Sequence, residues 1–253
     1  MKKPIIIEVF DPKNVFDRKI TGTEYNLFST ANVPGKRKYI KKFAQSFINE
    51  IVLIKNSSVS HSILKDKISI YNHISIDAVT AVIEKLCKTM ADNKSLTLPF
   101  SEIIIVASEE FVYPLILPLV SLCRMFTVIS ETHNIKRNDE MYFKYGCIIR
   151  NKTNLEDLPV MDSLMICADN KINCQCINIP VINLTPTEYI RSNIVNIRDV
   201  KVIDDKISNI VKQWGGEPGL EFYDLLGITP DRKSNVDISV KTDRIFLLDR
   251  SKI

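Results

Sequence analysis

Residues 102–169 set the strongest constraint on what this 253-residue chain can fold into. An apolar run at 103–107 (IIIVA) leads into the helix-like FVYPLILPLVSLCRM and then into a second apolar run at 126–130 (FTVIS), closed by Glu131. Two short strand-like runs joined by an apolar crossover read as one βαβ unit. Further short runs at 147–150 and 163–168 are each reached through a polar, charged segment, the rhythm of a parallel, doubly wound sheet. Pro114 suits a first helical turn and Pro118 would kink an interior, so the crossover helix is expected to begin near Tyr113 and to bend.

The flanks supply the rest of the organisation. A strand at 4–10 leads through a polar segment to a basic helix at about 38–51, and a strand at 67–71 follows the Ser-rich SSVSHS. Ser75-Ile76-Asp77 can cap a long helix in which Ala78, Val79, Val82, Ile83, Leu86 and Met90 keep the 3.6-residue period until ADNKS ends it. A fifth strand is expected at 176–184 and a helix at 205–214; GGEPG at 215–219 is a turn. A short helix at 220–226 and a strand at 244–248 close the chain. The expectation is an α/β fold with a Rossmann-like, mostly parallel sheet at 97–199, a smaller N-terminal α/β domain at 1–96, and C-terminal helices and a final strand at 200–253.

Composition narrows the function classes. Apolar residues make up 45% of the chain, enough for a substantial core. The uncharged run at 111–123 falls well short of the ~20 residues that span a bilayer, and MKKPIIIEVFDP turns acidic too early for a signal peptide. A cytoplasmic protein without a membrane partner is expected. Residues 1–100 carry 16 basic against 9 acidic side chains, and residues 101–253 carry 18 against 21. Much of the N-terminal excess is GKRKYIKK, at the start of a helix whose Ile40, Phe43, Phe47 and Ile51 share a face. A solvated helix face explains that cluster; it matches no nucleic-acid motif, so nucleic acid is not the expected partner, and a small anion is the alternative.

Other candidate chemistry is sparse. Cys174-Gln175-Cys176, with Cys167 upstream, lacks the second ligand pair of a structural zinc site, and the six cysteines read mainly as buried thiols. His61, His73 and His133 show no metal-pair spacing. His73 follows Asn72 at a strand end, where an imidazole can act as acid or base, although a plain loop histidine reads the same way. Glu109-Glu110 fits a helix start stabilised by the dipole.

The element order resembles the shikimate dehydrogenase family: a substrate domain, a linking helix, a Rossmann domain and a returning helix. Where that family has N-V-T-x-P-x-K with a catalytic lysine, this chain has Asn32-Val33-Pro34-Gly35-Lys36, which makes Lys36 the matching position. Asn72 matches the first residue of the family's N-T-D triplet, but Ile74 stands where its aspartate would be. The turn that would hold a pyrophosphate, Ala107-Ser108-Glu109-Glu110-Phe111-Val112-Tyr113-Pro114, has no glycine. Glu131, 24 residues after Ala107, stands where the resemblance implies a ribose-binding acid.

Taken together, the sequence points to a Rossmann-like protein that has lost dinucleotide binding, takes no cofactor, and binds a small anionic ligand or a protein partner through Lys36, Asn72, His73 and Glu131. The alternative is an oxidoreductase of a small hydroxy acid that uses NAD or NADP through an atypical loop.

Overall fold

The computed structural model describes residues 5–10, 20–24, 28–34, 37–46, 51–55, 69–70, 74–130, 135–154, 162–169, 177–185, 187, 189, 191–203, 219–231 and 234–238. Contacts divide the chain into two compact units. The first comprises Met1–Ile74 with Glu221–Ile228, and the second Ser75–Leu220 with Thr229–Ile253.

In the first unit β1 (Ile5–Phe10) lies at the centre of a five-stranded sheet. It is followed by β2 (Thr21–Glu24), β3 (Ser29–Pro34), α1 (Arg37–Ser46), β4 (Ile51–Lys55) and β5 (Ser69–Ile70). The order is β2-β3-β1-β4-β5; β1 runs parallel to β3 and β4, β4 parallel to β5, and only the edge strand β2 is antiparallel. Ile5, Ile6 and Ile7 are buried in succession, as a central parallel strand requires. Helix α1 buries Ile40 and Phe43 and leaves Lys38, Lys41 and Lys42 exposed. Two sequence expectations are corrected here. The segment after β1 contains two strands, and the basic helix stops at Ser46, because Ile51-Val52-Leu53-Ile54 is a continuous apolar run suited to a parallel strand.

The second unit opens with α2 (Ile76–Lys94), β6 (Glu102–Val106) and α3 (Glu109–Ile116), then a 3₁₀ turn at Leu117–Leu119. It continues through β7 (Met125–Ile129), α4 (Ile135–Tyr145), β8 (Ile148–Lys152), β9 (Ser163–Cys167), β10 (Val181–Asn183) and β11 (Ile194–Asn196). These six strands form one sheet in the order β11-β10-β9-β6-β7-β8, with every pairing parallel. Counted along the sheet, the strands run 3-2-1-4-5-6, the Rossmann order, with the reversal between β6 and β9. The four parallel strands read from 102–169 are present. The fifth is shorter than expected and starts only at Val181, directly after Pro180, which has no N–H for a ladder. The sixth, IVN, was too short to be recognised.

Helix α2 is capped at Ser75, whose hydroxyl accepts the Ala78 N–H at 3.3 Å, and it packs on α3, the 3₁₀ turn and the second unit's last strand. It lies within the second unit. It ends on Ser95 in the left-handed conformation (φ 53°), with the Leu96 N–H donating to the Ala91 carbonyl at 2.9 Å. A serine is strained there and a glycine is not, so Ser95→Gly should stabilise the unit by about 0.5–1 kcal/mol, seen as a raised urea midpoint; an unchanged or lowered midpoint would refute this. Helix α3 begins four residues earlier than expected, with Pro114 inside it. It ends where Pro118 offers no N–H to the Pro114 carbonyl and the chain tightens to 3₁₀.

Beyond the sheet, a 3₁₀ turn at Ile197–Asp199 leads to β12 (Val200–Ile203), which pairs antiparallel with β13 (Asn235–Ile238). Between them α5 (Leu220–Leu225) returns to the first unit, where Phe222 meets Phe28 edge-on at 5.8 Å. Gly227 at φ 66° ends this helix, letting the Ile228 N–H reach the Tyr223 carbonyl at 2.9 Å. The expected helix at 205–214 and strand at 244–248 lie outside the described residues. Among the described residues, no helix is long and apolar enough to cross a membrane.

Candidate functional site

Open parallel sheets bind ligands beyond the carboxyl ends of their strands, at the point where strand order reverses. In the second unit that point lies between Val106 of β6 and Cys167 of β9, which are paired in register. The ladder continues one residue past β9 and past β10. The Ala168 N–H donates to the Val106 carbonyl at 2.7 Å, and the Leu184 N–H to the Cys167 carbonyl at 2.8 Å.

Only Ala107 and Ser108 separate β6 from α3. Ser108 has ordinary extended angles (φ −63°, ψ 154°), and the Phe111 N–H already donates to its carbonyl at 3.0 Å. No residue of this turn has a positive φ. Glu109 and Glu110 fill the helix's first turn, and Glu110 accepts the Ser108 hydroxyl at 3.3 Å. A pyrophosphate needs a left-handed glycine turn, close backbone approach and a positive helix end. Here the turn is short, every position carries a side chain, and the two carboxylates already interact with the dipole.

The other side of this edge is ordered by side-chain amides. Asn183 ends β10 and Asn196 ends β11, and both are buried. The Asn183 amide donates to the Thr187 carbonyl at 2.6 Å and to Asn196 Oδ1 at 3.0 Å, while its Oδ1 accepts the Thr185 N–H and hydroxyl at 3.1 and 2.8 Å. Asn196 Oδ1 also accepts the Tyr189 N–H, and its amide donates to the Tyr189 carbonyl and to Asp199. Each amide is saturated, so the two asparagines hold Thr185, Thr187 and Tyr189 in place and have no hydrogen-bonding group left for a ligand. Sequence reasoning missed both asparagines; the signal was the pair VIN and IVN, each placing an amide at the end of an apolar strand.

Burial pushes the thiols of Cys87, Cys123 and Cys147 up, away from the thiolate form a nucleophile needs. Cys174 and Cys176 lie outside the described residues, and among the described residues no group of His, Cys, Asp and Glu could hold a metal ion.

Lys36, Asn72, His73 and Glu131 all lie outside the described residues. Along the chain each follows the carboxyl end of a parallel strand: Lys36 comes two residues after β3, Asn72 and His73 two and three after β5, and Glu131 two after β7. His61 and His133 are also outside the described residues. Of the family-like stretch, Asn32, Val33 and Pro34 form the end of β3, with Asn32 exposed and Val33 buried.

No protein-family model and no curated protein matches the chain. Among solved structures, L-tryptophan dehydrogenase from Nostoc punctiforme aligns at 8% identity and a TM-score of 0.31, over 68% of this chain and 59% of that one, so less than two thirds of its length is spanned. The catalytic subunit of M. jannaschii aspartate transcarbamoylase aligns at 11% identity and a TM-score of 0.34, over 88% and 83%. D-mandelate dehydrogenase from Rhodotorula graminis aligns at 8% identity and a TM-score of 0.30, over 72% and 74%. Likenesses this distant carry no argument; the Rossmann-type fold of the second unit rests on its own strand order and pairing.

Proposed function

We propose that this chain is a non-catalytic binding protein on a Rossmann-like scaffold, taking a small anionic ligand or a protein partner and no dinucleotide. The observation that carries this reading is the two-residue turn from β6 into an acidic helix start. A dinucleotide brings two negative phosphates to that helix end, where Glu109 and Glu110 would repel them. Lys36, Asn72, His73 and Glu131 are the residues proposed to meet the ligand, with Lys36 supplying its positive charge. The shikimate dehydrogenase resemblance supports the choice of Lys36 and Asn72, while Ile74, in place of the family's aspartate, argues against hydride chemistry there.

Titration calorimetry tests the proposal. NAD and NADP are expected to bind no tighter than about 1 mM, or about −4 kcal/mol. Micromolar binding would overturn the reading in favour of an oxidoreductase with an atypical loop. In that case Lys36→Ala should also abolish turnover of a hydroxy acid.

A further inference from the structure

A groove is lined by residues of α2, α3, the 3₁₀ turn and α4. It encloses about 620 Å³, within the range of small-molecule pockets (roughly 300–1,000 Å³). One wall is apolar, formed by Pro114, Leu117 and Pro118, and Leu117 is 44% exposed. The facing wall is a single stripe of α4, Arg137, Glu140, Met141 and Lys144, which share a face because they are spaced by three, four and seven residues. Arg137 and Lys144 are two turns apart, about 10 Å along the helix.

The two cations are not used as spacing alone would suggest. Glu140 stands three residues after Arg137 and four before Lys144, yet among the described residues it forms an ion pair with neither. Instead the Arg137 guanidinium lies 5.0 Å from the centre of the Tyr113 ring, and the Lys144 ammonium 5.3 Å from that of Tyr145. The Tyr113 hydroxyl is fixed by donating to Asn138 Oδ1 at 3.1 Å. Both cations are thus placed on aromatic rings at the two ends of an open groove, opposite an apolar wall.

We propose that this groove binds an amphipathic organic anion, a carboxylate, sulfonate or phosphate on an aromatic or acyl body. The body lies against Pro114, Leu117, Pro118 and Met141, and the anionic group is drawn to Arg137 or Lys144. The cations supply selectivity and the apolar wall supplies most of the affinity. The described lining of the groove includes none of the residues of the proposed function, and this proposal stands whether or not that reading does.

The test uses the intact chain and the fluorescent anion 8-anilinonaphthalene-1-sulfonate. One saturable site is expected under native conditions, weakened about tenfold in Arg137→Gln/Lys144→Gln, as loss of two exposed charge contacts implies. Leu117→Glu should abolish the site. All three positions are exposed, so an unchanged thermal midpoint will show that the variants fold. The neutral analogue N-phenyl-1-naphthylamine should bind the parent more weakly than the anion and be indifferent to loss of the charges. Displacement by oleate would assign an acyl ligand, and displacement by 1-naphthyl phosphate an aryl one. Equal affinity of the parent and the charge-deleted variant for the anion, or displacement by neither competitor, would overturn the proposal.

Discussion

Replacing Ile104 by alanine should lower the unfolding free energy of the second unit by about 3–4 kcal/mol, the middle of the range for buried aliphatic truncations. Ile104 is fully buried in β6, in register with Thr127 of β7 on one side and Met165 of β9 on the other. It shares a cluster with Val106, Ile129, Met165, Cys167, Ile177, Ile179, Val181 and Ile194, against which Tyr189 packs. Ladders on both sides pin the backbone, so the lining cannot close over the missing atoms and the cavity term persists. Ile104→Val removes one methylene and should cost about 1 kcal/mol. Urea unfolding that shows a loss below about 1 kcal/mol for alanine would mean that this face of the sheet is not packed as described.

The same burial explains what could be read from the sequence and what could not. Strands β6, β7 and β9 are covered on both faces, so nearly every residue must be apolar, and a run such as IIIVA announces itself. Strand β10 was read, within the longer apolar run at 176–184, but β11 is three residues ending in asparagine, too short for any periodicity to emerge. Strand β4 was absorbed into the preceding basic helix, because a β-branched run after an amphipathic segment satisfies both templates over a few residues. Helix α4 was missed for a different reason. Of IKRNDEMYFKY only Met141 is buried among the side chains described, and Phe143 is 84% exposed, so its apolar and aromatic residues do not trace a buried face. The absence of glycine between β6 and α3 was legible, and the structure supplies its consequence, a two-residue turn. The groove stripe on α4 was not legible, since it depends on Pro114, Leu117 and Pro118 facing it from another helix.

Asn183→Asp should destabilise the second unit by about 3 kcal/mol at pH 7, although it alters the side chain by one atom. The carboxylate still accepts from the Thr185 N–H and hydroxyl, but its second oxygen replaces a donor that lies 2.6 Å from the Thr187 carbonyl and 3.0 Å from Asn196 Oδ1. Two donated bonds become two repulsive contacts in a buried position, and the unpaired charge adds its desolvation. All three effects disfavour the ionised form in the folded protein, so the introduced aspartate should have a folded pKa above its unfolded value of about 3.9. The sign of the pH dependence follows. Below about pH 4 the group is protonated in both states and its O–H can donate, so the deficit is small; it grows as pH rises through the folded pKa, and the variant recovers toward the parent on acidification. Amide hydrogen exchange at Thr185 and Tyr189 should quicken together, because both N–H groups donate into the network that holds the loop. Exchange at those two amides that matched the parent's at pH 7 would show that the strand ends, not the paired asparagines, hold this loop at the carboxyl edge of the sheet.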